Sequence, residues 1–175
     1  MKSLYESILS STKSGKLALI KNWCEENQPF AGNLEITKDY EIACTKRGGS
    51  LILKFDTFSE LPDYIQFKDD DFLMITVGIA SYVKINVKSL KGLPKVCGTL
   101  MIKGRIRELP GFEISTNWFS LYTPDLKKTG DITINMVGGN GQNGRMVHIK
   151  DLPYEEGKGF ADLLPNLHIN GARQF

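Results

Sequence analysis

Gly98-Thr99-Leu100-Met101-Ile102-Lys103 decides the reading of this chain. Its period of two puts Leu100 and Ile102 on one face of a strand and Thr99, Met101 and Lys103 on the other. The same form, glycine-any-aliphatic-any-aliphatic-polar, recurs at 32–37, 49–54 and 130–135, and without its glycine at 71–76, 81–86, 117–122, 145–150 and 165–170. Its second apolar position falls at 36, 53, 75, 85, 102, 121, 134, 149 and 169, a mean step of about 17 residues. Leu-Pro pairs at 61, 93, 109, 152 and 164 mark the connections, where proline turns the chain without entering a central strand. Two or three inward side chains per unit cannot offset the entropy of ordering it, so neighbouring units must share one core. The expectation is a β-solenoid over residues 29–175. The short step from Ile75 to Ile85 predicts a hairpin at Gly78-Ile79-Ala80-Ser81 instead of a full coil.

Residues 1–28 differ in texture. Leu4, Tyr5, Ile8 and Leu9 form a short apolar stripe, Ser10 to Gly15 interrupts it, and Leu17, Leu19, Ile20, Trp23 and Cys24 recur at helical spacing until Pro29. Two short helices are predicted there, forming an α-helical N-terminal cap over the raw end of the sheet.

The stretch Leu90-Lys91-Gly92-Leu93-Pro94-Lys95-Val96-Cys97-Gly98-Thr99-Leu100-Met101-Ile102-Lys103, continued by Ile106 to Phe112, resembles the degenerate leucine-rich-repeat-like proteins of gut-bacterial tailed phages (crAss-like and related) and their hosts. The resemblance is good over 90–112, fair over 126–170 and loose before 80. It implies a mainly β, irregular leucine-rich-repeat-like β-solenoid that binds other molecules and does not catalyse. Unlike a regular leucine-rich repeat, the chain has no recurring asparagine ladder and its units are short, so a regular horseshoe is not implied. Met1 to Leu9 is similar to the leaders of phage proteins carried inside the capsid, which implies a docking role for Leu4, Tyr5, Ile8 and Leu9.

Composition bounds the rest. With 175 residues and 22 basic against 20 acidic side chains, the net charge is +2, which argues against a nucleic-acid partner held by bulk electrostatics. A chain of this length buries about 70% of its unfolded surface, so no disulfide or structural metal is required. Cys24, Cys44 and Cys97 have no paired spacing and read as buried thiols of a reducing compartment. No run of about 18 apolar residues suggests a membrane span, and no secretory signal opens the chain. Host-cell cytoplasm or a virion is the expected location, with no cofactor and no membrane contact.

Strand alternation assigns the residues flanking each apolar pair to an outward face. Phe72, Met74, Tyr82, Met101, Trp118 and Tyr122 lie there among Lys84 and Lys103, the composition of an interface centre with a lysine rim. Either a loop or the helical arm covers these side chains as ordinary core, or they contact another protein. Aromatics among lysines also suit single-stranded bases, a use the charge balance disfavours.

His148 and His168 occupy one predicted column, about 5 Å apart if their strands pair, within reach of a shared metal. A third ligand is missing from that column, so no metal site is expected. Gly138 to Gly144 lacks the Lys-Ser/Thr ending of a phosphate loop, Asp69-Asp70-Asp71 do not converge on a cation, and no G-x-S-x-G elbow is present. The sequence points to a non-enzymatic protein-binding module, virion-associated, whose partner is a virion or host component. Two alternatives stand: a host-directed inhibitor (anti-defence protein) that occludes an enzyme or sequesters a nucleotide, and a metal-dependent hydrolase using His148 and His168.

Overall fold

Thr12 divides the N-terminal segment into two helices. Its hydroxyl accepts the Gly15 amide at 3.1 Å, an N-cap that starts α2 (Lys13–Glu26) directly after α1 (Leu4–Ser10). Gly15 is required for the close turn, since a Cβ there would lie 2.2 Å from the Leu9 carbonyl oxygen. α2 buries Leu19, Ile20 and Trp23, and the Trp23 ring meets Phe67 edge-on with centroids 6.0 Å apart. The structure, a computed structural model, describes residues 4–27, 34–54, 61–78, 90–137, 146–150 and 164–171. Among the described residues no helix is long and apolar enough to cross a membrane.

The strands are β1 (Leu34–Ile36), β2 (Ile42–Cys44), β3 (Ser50–Lys54), β4 (Asp70–Gly78), β5 (Val96–Lys103), β6 (Glu108–Leu109), β7 (Phe112–Tyr122), β8 (Lys128–Thr129), β9 (Ile132–Met136), β10 (Met146–Lys150) and β11 (Leu167–Asn170). Seven of them make one parallel sheet in the order β11-β9-β7-β5-β4-β3, with β10 also paired to β7. β6 and β8, from the connections that follow β5 and β7, pair parallel to one another in a small separate sheet.

The solenoid expectation is corrected by this topology: the chain is mainly β, built on one seven-stranded parallel sheet with two helices. A spiral needs every hexad to add one strand to the stack in chain order, and two hexads do not. The first, at 34–36, turns back through Tyr40 (φ 61) and pairs antiparallel with β2, outside the main sheet. The hexad at 145–150 does not extend the stack beyond β9 but lies beside β7, which is 11 residues long and so has room for two partners on one side. β9 takes Phe112 to Thr116 and β10 takes Trp118 to Tyr122, end to end. The hexad at 81–86, the hairpin expected at 78–81 beyond Gly78, and Gly138 to Gly144 lie outside the described residues.

The core is the inward row of the sheet: Leu51 and Leu53, Leu73, Ile75 and Val77, Leu100 and Ile102, Phe119 and Leu121, Ile132 and Ile134, all buried. Ile20 and Trp23 of α2 join the same cluster, as do Ile106 and Leu126 from the connections. Inward alternation is interrupted at one level of the sheet. In β7 the inward positions run Ile114, Thr116, then Phe119 and Leu121, and in β5 Cys97, then Leu100 and Ile102, so each strand spends three residues where alternation allows two. Gly98 occupies that level because a Cβ would sit 2.4 Å from the Asp71 carbonyl oxygen. The buried Thr116 hydroxyl spans the irregularity, 3.1 Å from the Gly98 carbonyl oxygen and 3.0 Å from that of Trp118.

The three cysteines are free: Cys97 is buried, whereas Cys24 and Cys44 are half-buried. Burial pushes the Cys97 thiol up to about 12, against a lowering hydrogen bond with Thr116, and burial with the neighbouring Glu25 charge takes Cys24 to about 11.

Candidate protein-binding surface

The interruption at Thr116 also sets what the outer face of the sheet carries. After it, Trp118, Ser120 and Tyr122 point away from the core while Phe119 and Leu121 point in. Parallel registration then lines up neighbours at the same height. Met74 stands beside Thr99 and Thr99 beside Trp118. Thr76, Met101, Ser120 and His148 form the next row, and Lys103 and Tyr122 the row beyond.

Trp118 is the centre of this face. Its indole N–H donates to the buried Ser120 hydroxyl at 2.7 Å, and its ring meets the His148 imidazole edge-on with centroids 5.2 Å apart. The side chain is thus fixed by a satisfied polar atom and an aromatic neighbour, yet remains 36% exposed. Met74 is 38% exposed one strand beyond Thr99, and Phe72 46% exposed two residues earlier. Arg47 places its guanidinium 5.6 Å from the Phe72 ring centroid, within cation–π range. Met101, Tyr122 and His148 are half-buried in this face and Lys103 is exposed at its end.

The predicted columns are redrawn in two places. Phe72 was expected level with Thr99, but that position belongs to Met74, because β4 carries a third inward apolar residue, Val77, which registers with Leu53 and Ile102 and moves the strand by two. The histidine pair is taken apart: His148 lies beside Ser120 on β7, while His168 lies beside Thr133 on β9 and is exposed. They sit in different halves of the sheet, so they do not form the two-ligand site that a hydrolase would need. Among the described residues no three His, Cys, Asp or Glu side chains group as a metal site. Asp69 and Asp70 serve the backbone instead, Asp69 accepting the Lys95 and Val96 amides and Asp70 that of Phe72.

Tyr82 and Lys84 lie outside the described residues. In α1, Leu4, Tyr5 and Ile8 are exposed and Leu9 half-buried. Sequence reasoning did not single out three contributors to the face: Arg47, Ser120 and Thr116. A buried serine between Phe119 and Leu121 had a usable signal, since a strand position beside a tryptophan two residues away is where an indole N–H finds an acceptor. Arg47 had none, because its contact crosses from one connection to another strand.

Comparison with protein-family models, with curated proteins and with solved structures finds no match for this chain.

Proposed function

We propose that this chain is a non-enzymatic protein-binding module whose contact surface is the sheet face centred on Trp118. The observation that carries the reading is the exposure of Trp118, Met74 and Phe72 on one wall of a parallel sheet. Parallel sheets ordinarily cover both faces, so apolar side chains left on one call for a partner. Tryptophan and methionine are enriched at interface centres, and a ring already locked by hydrogen bonding loses little freedom on docking. The phage-family resemblance over 90–112 makes a virion or host component the expected partner, and mass spectrometry of purified particles separates the two.

The direct test replaces Trp118 and Met74 together with serine. Affinity capture with the wild-type chain should recover a partner that the double variant loses, while the melting temperature stays within about 5 °C. A variant that keeps the partner, or that unfolds, overturns the reading, the second outcome by making these side chains core.

A further inference from the structure

The connections that leave β5 and β7 gather cations beyond the sheet face. Arg105 and Arg107 flank buried Ile106, and Asp125 and Lys127 flank buried Leu126, an array of four charged side chains on two neighbouring connections. Arg105 holds the Asp125 carboxylate through Nε at 2.6 Å and Nη2 at 3.2 Å. The Lys127 and Lys128 amides both donate to the Arg107 carbonyl oxygen, at 2.8 and 3.2 Å, which sets Arg107 beside Lys127, one residue before the registered pair Glu108–Lys128. The Arg105 hydrogen bond, with smaller help from the Arg107 and Lys127 charges, holds the Asp125 carboxyl below its ordinary range, as expected if all three cations surround it.

Like charges side by side on paired strands are destabilising. Arg107 and Lys127 are exposed, and among the described residues neither has an ion-pair partner. The array is continuous with the aromatic face, because Lys103 registers with Tyr122 and the next amide, Gly104, donates to the Tyr122 carbonyl oxygen at 3.0 Å.

We infer that Arg107 and Lys127, beside the Arg105–Asp125 pair, receive an extended acidic segment of the protein that docks on the Trp118 face, an inference that rests on the protein-binding reading of that face. A net charge of only +2 is not the strong basic excess of a phosphate-tracking chain, which favours an acidic peptide over a phosphodiester strand.

The test uses the full, ¹⁵N-labelled chain titrated at low salt with a ten-residue glutamate peptide and, separately, with a ten-nucleotide thymidine single strand. The peptide should shift the amide resonances of 105–107 and 125–128. The pair Arg107→Glu and Lys127→Glu should weaken it at least tenfold, and Arg107→Gln with Lys127→Gln by less. Trp118→Ser should leave the peptide titration unchanged, so failure at this corner is read separately from failure of the sheet-face reading, which appears as partner retention by the Trp118 variant. Peptide binding elsewhere, equal binding by the charge-reversed chain in its folded state, or tighter binding of the thymidine strand at these residues overturns the inference, the last by assigning the corner to nucleic acid.

Discussion

The two halves of β7 belong to one strand and face the same way, yet they carry opposite chemistry. Over Phe112 to Thr116 the outer side is polar and internally paired: Asn135 donates to the Glu113 carboxylate at 3.0 Å, and Asn170 donates to the Asn135 carbonyl at 2.9 Å, a side-chain ladder across β7, β9 and β11. Over Trp118 to Tyr122 the outer side is aromatic and open, with Met74, Met101 and His148 as neighbours. The polar half spends its side-chain capacity within the molecule. The other half ties down one indole N–H and leaves its carbon surface unspent, free to meet another apolar surface.

The largest effect should come from removing what both halves rest on. Phe119 is buried as the first inward residue beyond Thr116, and Phe119→Ala should cost about 3–5 kcal/mol, read as a lowered urea midpoint, with the Trp118 fluorescence, followed in a Trp23→Phe background, changing together with the global transition. A separate fluorescence transition would show that the aromatic half melts on its own. Thr116→Val tests the boundary itself. Losing the hydroxyl leaves the Gly98 and Trp118 carbonyls with one partner fewer in a buried place, so about 1–3 kcal/mol should be lost, and amide shifts should concentrate at Gly98 and Trp118. Shifts spread evenly along β7 would mean that Thr116 does not divide the strand. Asn135→Ala should have the smallest effect, about 0.5–1.5 kcal/mol, because the ladder is solvent-accessible, and it should leave partner capture intact. Loss of capture in that variant would extend the contact surface into the polar half.

Much of this was legible in the residues. Alternation located the strands around Leu51, Leu100, Leu121, Ile134 and Ile169, and the apolar spacing of Leu19, Ile20 and Trp23 located α2. How the strands are ordered was not legible, since hexad form is local and says nothing about which neighbour a strand takes. Nothing in Met146 to Lys150 announces that it pairs with β7 instead of following β9, and the histidine pairing failed for that reason. The Met74 register was within reach: reading the alternation on to Val77 would have placed it. The cation corner was invisible because Arg107 and Lys127 are distant in sequence and meet only through the β6–β8 pairing.

β9 and β10 meet no common strand but β7 among the described residues, each bonding its own stretch of it. Changes confined to one of them reach the other only by way of that shared strand. Substitutions on β9 and on β10 should therefore sum independently in a double-mutant cycle, whereas either combined with a change near Thr116 should not. That arrangement lets one region drift in sequence without disturbing the other.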